Sequence, residues 1–411
     1  MKSIRDALTP AQAWQRLSRV PQLETKFHIV KQAANYVLAE DLRATEDIPS
    51  GHRSFMDGYA VQSKDTESAP TNLDLIGEIG MGEQSNQRVS SGQAIRIPTG
   101  GYLPEGADAV VMQENTEAVP KKIRILKAVS QWENVQFRGE DFRKGDTLLQ
   151  KGHRLRSQDL SGIATFGITE VKVFRKPALQ ILSTGNELVY FEQTTVPPGM
   201  IRETNALSLA SASSKFGFDA EISGIFMDEF DVQRDAISRA LENADVVLVS
   251  GGSSVGDRDY TLEVIRSFPD HEVIFHGLAI RPGNPTIFAK VGQHYVFGLP
   301  GQPVSSLIVF YQFVLPFLFH LSGTQVDYST FHESNFASLM VQLSEPIQPL
   351  KTKTDYVRLQ INQSNNGYQA KPVLGKSASL STLVRAEGFT VMPPGEKQIE
   401  AGSTLKAYLF P

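Results

Sequence analysis

Cysteine is absent from this 411-residue chain. That absence excludes disulfides, thiolate metal sites, iron–sulfur ligation and a cysteine nucleophile. A dominant charge of one sign is missing too: 40 Lys and Arg stand against 45 Asp and Glu, a net charge of −5. This balance offers no global attraction to nucleic acid or an anionic membrane, so neither is an expected partner and any basic site must be local. The opening MKSIRDALTP has no uninterrupted apolar stretch, because Arg5 and Asp6 intervene. No secretory signal is expected from it, and the expected compartment is the cytoplasm. Val304–Leu321 comes nearest to a membrane span, but Gln312, Pro316 and His320 interrupt it, and a buried core helix is the expectation. The eight histidines form no HExxH pattern, which leaves a zinc hydrolase unsupported. There is no internal repeat or low-complexity tract.

The composition that remains, 41% hydrophobic and 21% charged, is that of a folded globular chain. At roughly 150 residues per domain, its length predicts two to four domains. Residues 1–42 read as helical, with Trp14, Leu17 and Val20 and then Ala33, Val37 and Leu38 at helical intervals. From Asp47 to about Arg143, short β-prone runs (AIRIP, DAVVMQE, KIRILKAV) lie between turn residues and predict a small all-β insertion. The pattern turns helical again at SQDLSGIATFG, and Pro177 opens a new region. Between Ala178 and Gly323, continuous apolar strands alternate with amphipathic helices, the pattern of a mostly parallel sheet covered on both faces. Short strands with Gly- and Pro-rich turns follow to the end and suggest a small β barrel or sandwich.

Three strands of the α/β region run directly into small-residue turns: ILSTGNEL (181–188), VVLVSGGSSVGDRDY (246–260) and FGLPGQPVSS (297–306). Ligands in open parallel sheets sit outside the carboxyl ends of the strands, where these turns emerge. Gly251, Gly252, Ser253, Ser254 and Gly256 form a candidate phosphate cradle, since glycine lets backbone N–H groups approach an anion. Thr184, Gly185, Pro300, Gly301 and Ser305 are the candidates from the flanking turns. Glu187, Asp228, Asp257 and Asp259 cluster on the same loops. Carboxylates beside a phosphate repel it unless a hard cation intervenes, which predicts Mg²⁺ held by Glu187, Asp228 and Asp259; each could instead be an ordinary helix-capping residue. Arg281, before a Pro-Gly turn, offers a planar donor fork for an oxyanion or, equally, an ion pair. Two decoys fall away or stay minor. Gly375-Lys376-Ser377 lacks the P-loop's first glycine, which would be Ala370. Gly252–Gly256 satisfies G-x-S-x-G and would make Ser254 a serine-hydrolase nucleophile, but no downstream Asp and His complete a triad.

SFMDGYAV (54–61), RIPTGGYLPEGADAVVMQENTE (96–117), RGEDFRKGD (138–146), STGNEL (183–188), SGGSSVGDRDY (250–260), RPGNP (281–285), GLPGQPVS (298–305) and GKSASLSTLVRAEGF (375–389) together resemble the MoeA and gephyrin E-domain family, the molybdopterin molybdenumtransferases. The resemblance implies a four-part subunit: a helical, elongated N-terminal domain (1–46 plus 145–176), a β-rich insertion (47–144), a doubly wound MogA/MoaB-like molybdopterin-binding domain (177–326) and a C-terminal β barrel (327–411). It implies a homodimer whose cleft sets Asp57, Thr99 and Asp141 of one chain against Glu187, Asp228 and Asp259 of the other, with Asp57, Glu187, Asp228 and Asp259 catalytic. The implied reaction is Mg²⁺-dependent: molybdenum from molybdate enters adenylylated molybdopterin and AMP leaves, with a molybdopterin adenylyltransferase as a possible partner. The sulfurs belong to the pterin, so a chain without cysteine is no obstacle. Several positions depart from the family pattern: Asn186 and Glu203 replace Asp, Gln302 replaces Asn, Asn284 replaces a Lys, and Gly277 stands where some members carry Lys. Fewer lysines weaken attraction for an oxyanion, so a catalytically silent molybdopterin-binding scaffold is the alternative.

Overall fold

A computed structural model describes residues 7–251, 260–365 and 367–411. The chain divides into two compact units, one of Glu40–Lys151 with Ser157–Thr169, the other of Met1–Ala39, Gly152–Arg156 and Glu170–Pro411.

The first unit is built on a six-stranded sheet in the order Ala109–Met112, Gly58–Val61, Gln93–Ile97, Thr71–Glu78, Lys122–Ile125, Thr116–Val119. The predicted runs AIRIP, DAVVMQE and KIRILKAV each supply one of these strands. Their inward positions, among them Val61, Leu73, Ala94, Val111, Ile123 and Ile125, pack into one core. Gly58 permits the pairing: a Cβ there would sit 2.0 Å from the Val111 carbonyl oxygen, so only glycine fits.

The second unit carries the α/β sheet, with strands β1 (Leu179–Thr184), β2 (Ala220–Phe226), β3 (Val246–Ser250), β4 (His271–His276), β5 (Ile287–Val291) and β6 (His294–Leu299), in the order β2-β1-β3-β6-β5-β4. β2, β1, β3 and β6 are mutually parallel, while β5 and β4 add an antiparallel edge. The chain leaves β1 for one side to form β2 and returns to the other side to form β3, so the strand order reverses between β1 and β3. Helix α1 (Asn205–Lys215) covers one face with the apolar run Pro303–Leu321, burying Ile181, Leu248 and Phe297. Helices α2 (Phe230–Leu241) and α3 (Tyr260–Ser267) cover the other face over Leu182, Val247 and Val249. The apolar run is the core helix expected, buried along nearly its whole length. It widens to a π-helical turn over Phe310–Val314, directly before Pro316. Pro316 lacks an N–H and its ring crowds the carbonyl four residues earlier, and a wider turn relieves both.

The C-terminal strands settle the barrel-or-sandwich question. β7 (Ser338–Leu343), β8 (Thr354–Ser364), β9 (Gly367–Pro372), β10 (Gly388–Met392) and β11 (Thr404–Leu409) close as β8-β9-β7-β11-β10 and back to β8. Five strands therefore leave no open edge. Ile280–Arg281 adds to β8 from outside.

The N-terminal expectation needs correction. Among the described residues of 1–42, one α-helix forms, Pro10–Leu17, which Thr9 and Gln12 cap reciprocally. Thr25–Ile29 is instead a strand, antiparallel to Glu170–Phe174, and Val30–Gln32 is a short 3-10 turn. Pro21 stops a helix from continuing, and Asn35 at φ 67° breaks the second apolar series, whose residues are buried from turns and bridges rather than from a helix face. Among the described residues, the helical description of the N-terminal domain thus holds for Pro10–Leu17 and Ser157–Thr165 only.

Candidate active site at the strand ends of the α/β sheet

The turns after β1, β3 and β6 meet at the point where strand order reverses. A Cβ on Gly251 would lie 2.2 Å from the Thr184 carbonyl oxygen, and Gly251 has φ +111°, so glycine is required twice over. A Cβ on Gly301 would lie 3.4 Å from the Gly251 Cα. The Gly251 N–H donates to the Leu299 carbonyl at 3.1 Å, and Pro300 and Ser305 are buried beside this turn. Thr184 and Ser183 are buried, yet neither hydroxyl has a hydrogen-bond partner among the described residues.

Two carboxylates stand at the same edge. A Cβ on Gly185 would touch Glu187 Oε2 at 2.8 Å, so the Glu187 carboxylate folds back over the end of β1. Asp228 follows β2, and its N–H donates to Asn186 Oδ1 at 3.0 Å while its Oδ1 accepts from Gln233 Nε2 at 3.0 Å. Burial first, then the charge of Glu187, raises the Asp228 carboxyl above the usual range. Among the described residues no three of His, Asp and Glu come close enough to hold a metal ion. Gly252, Ser253, Ser254, Gly256, Asp257 and Asp259 lie outside the described residues, and with them the third expected ligand and the serine-nucleophile alternative.

Sequence reasoning missed Asn205. Its side-chain amide donates to Ser250 Oγ at 2.9 Å and to the Gly301 carbonyl at 2.8 Å, tying the ends of β3 and β6 together. Buried Glu203 positions it by accepting the N–H groups of Asn205 and Ala206 at 2.7 and 2.9 Å, a carboxylate at a helix start. Asn205 opens a helix rather than following a strand of the sheet, so no strand-end turn marks it.

Arg281 is placed differently from the oxyanion expectation. Its guanidinium forks onto Asp355 of β8, with Nε on Oδ1 at 3.0 Å and Nη2 on Oδ2, and the Asp355 side chain is only 4% exposed. The ion-pair alternative is the one the structure has.

In the other unit, Thr99 donates its N–H and hydroxyl to Asp57 Oδ1 at 2.7 and 3.0 Å. These two bonds hold the Asp57 carboxyl below its usual range. Asp141 N–H donates to the Ile48 carbonyl at 3.0 Å.

The MoeA N-terminal region (domain I and II) matches residues 3–167, the "Probable molybdopterin binding domain" matches 180–320, and the MoeA C-terminal region (domain IV) matches 340–410. The molybdopterin molybdenumtransferase of Staphylococcus aureus strain COL is 32% identical over 385 residues, covering 92% of this chain and 90% of the relative. The chain belongs to the MoeA family. A molybdopterin molybdenumtransferase of Staphylococcus epidermidis is 31% identical over 383 residues, covering 92% and 89%. Among solved structures, a molybdopterin biosynthesis MoeA protein from Pyrococcus horikoshii superposes with TM-score 0.82 at 28% identity, covering 98% of this chain and 100% of that one.

The positions expected to depart from the family pattern have local accounts. Asn186 keeps an acceptor oxygen on the Asp228 N–H without a charge. Asn284 uses its amide to close its own loop, donating from Nδ2 to the Leu278 carbonyl at 2.5 Å. Gln302 precedes the helix Pro303–Val309, but its side chain makes no capping bond, where the shorter Asn could.

Proposed function

We propose that the chain is a molybdopterin molybdenumtransferase, which moves molybdenum from molybdate into adenylylated molybdopterin with release of AMP. Its role lies in molybdenum cofactor biosynthesis. The contact of Thr184, Gly251 and Gly301 at the strand reversal carries this reading. With no Cβ at two of three positions, the backbone there can approach a phosphate group, and the orphan Thr184 hydroxyl is available to donate to it. Asn205 holds the two glycine turns at the spacing this requires.

The donor set fits Mg²⁺. Glu187 and Asp228 are oxygen ligands that make no ion pair among the described residues, and the charge of Glu187 adds to the burial that raises Asp228, a repulsion a hard divalent cation relieves. In this reading Glu187 and Asp228 hold the ion, with Asp259 as third ligand. When bound, it neutralises phosphate charge and favours departure of AMP. Gly252, Ser253, Ser254 and Gly256 extend the phosphate cradle.

We further propose the four-part subunit with the boundaries given above, a homodimer in which Asp57, Thr99 and Asp141 complete the partner chain's site, and action in the cytoplasm downstream of a molybdopterin adenylyltransferase. Asp57, already ionised by its bonds from Thr99, serves as an anionic group toward substrate. The test is AMP release from adenylylated molybdopterin with Mg²⁺ and either molybdate or tungstate. Oxyanion-dependent release is expected; none, where a related enzyme turns over, overturns the reading and leaves the silent scaffold.

A further inference from the structure

The second unit contains a cavity of about 390 Å³ whose lining includes Asn35, Arg154, Phe319, Thr324, Asp327 and Ser334. That volume lies within the range of small-molecule sites. None of these residues belongs to the strand-end constellation.

Alongside Arg156 and Asp327, the cavity lining carries the charged side chain of Arg154. Its guanidinium lies 4.8 Å from the centre of the Phe319 ring and donates from Nη2 to the Phe216 carbonyl at 2.5 Å. Of its five N–H donors that bond occupies one. Lys176 Nζ and Lys26 Nζ lie 4.4 and 5.4 Å from the centre of the Tyr36 ring. Burial above all, then the charges of Arg154 and Lys26, hold Lys176 below the usual lysine range against the opposing pull of Asp219. Burial likewise lowers Arg154. Asp219 is the carboxylate whose charge opposes these cations at Lys176. Asp327 in the lining stays ionised, because Ser329 donates its N–H and its hydroxyl to Asp327 Oδ1 at 2.9 and 2.6 Å, and it offsets part of this positive field. Thr324 Oγ1, also in the lining, is buried with no hydrogen-bond partner among the described residues.

We propose that this cavity is an anion site for a phosphate-class oxyanion, with Arg154 as principal donor, the Thr324 hydroxyl as second donor, and Lys176 and Lys26 supplying the surrounding field. The guanidinium fork matches a tetrahedral oxyanion. Free phosphate and a phosphate monoester share this chemistry, and titration distinguishes them.

The experiment is calorimetric titration of the full chain with inorganic phosphate and, separately, a nucleoside 5′-monophosphate at low ionic strength, where such attractions are least screened. Saturable binding is expected in at least one arm, and Arg154→Gln should weaken it by about tenfold or more, since a hydrogen bond to a charged group is worth that factor. Ser334→Glu sets a new carboxylate at an exposed position of the lining and should weaken it as well, which keeps the test decisive if Arg154→Gln folds poorly. Exposed Lys397, on the C-terminal segment, is the control, and Lys397→Gln should change nothing. Unaltered affinity in Ser334→Glu and in a folded Arg154→Gln, no saturable binding in either arm, or an equal loss in Lys397→Gln overturns the proposal.

Discussion

Gly251 lies so close to Thr184 that a single added methyl would occupy the space of the Thr184 carbonyl oxygen, 2.2 Å from the ideal Cβ position. Gly251→Ala should therefore destabilise the chain by about 1–3 kcal/mol through backbone strain and abolish AMP release by separating the turns after β1 and β3. Urea unfolding with the release assay on the same preparation checks both effects; normal turnover would remove Gly251 from the site.

Asn205→Ala removes both bonds between the ends of β3 and β6. The expected cost is about 1–3 kcal/mol in stability for the two bonds and the acceptors left behind, with a fall in kcat of roughly 100-fold from misplaced turns. Asn205→Gln, which keeps the amide on a longer arm, should recover part of kcat. A loss confined to KM would indicate that Asn205 acts on binding alone.

Asp57→Ala and Glu187→Ala should each abolish turnover without unfolding the chain. Mixed under conditions of subunit exchange, the two should regain partial activity, because one heterodimer site then has both carboxylates. Activity that stays absent despite exchange, followed by mass spectrometry of labelled chains, would argue against a site shared between chains.

Removal of divalent cations with a chelator should stop transfer while leaving the unfolding midpoint nearly unchanged, and Asp228→Asn should raise the Mg²⁺ concentration needed for half-maximal rate. A rate indifferent to chelation would overturn the assignment of Glu187 and Asp228 as Mg²⁺ ligands.

Arg175 supports a pH-dependent part of the fold. Its Nη1 and Nη2 donate to Asp245 at 2.6 and 2.8 Å, and its Nε to Glu24. Burial alone would raise Asp245, but the bonds from Arg175 and the Ala178 N–H bring it below its ordinary 3.8. Glu24 is likewise lowered from 4.5, chiefly by its bond from Arg175. Lowered carboxyls contribute stability above their unfolded values and lose it as pH falls through the folded ones. Arg175→Met should therefore cost about 2–3 kcal/mol at pH 7, with the gap from wild type closing below about pH 4. A gap constant from pH 7 to pH 3 would show that packing, not charge, is what Arg175 contributes.

Much of the architecture was legible because it is periodic. Apolar strands separated by amphipathic helices specify a covered parallel sheet, and the glycine turns after them mark its functional edge. The N-terminal segment misled because Ala33, Val37 and Leu38 have helical spacing by coincidence: pairing of Thr25–Ile29 with a strand some 145 residues later overrides local pattern, as nonlocal contacts can. Arg281 was legible as a donor fork, but its acceptor is a buried carboxylate on the barrel, distant in sequence.

The sequence by itself determined the chemistry available: no thiolate, carboxylates and glycines at the strand ends, and a motif series spanning the chain. Only the tertiary structure decided which of these residues meet. Thr184, Gly251 and Gly301 touch because parallel pairing brings three strand ends to one edge, Asn205 joins them because its helix starts there, and the five C-terminal strands become a barrel because β10 pairs back onto β8. Each is a contact between residues far apart in the chain, which local pattern cannot encode and packing must select.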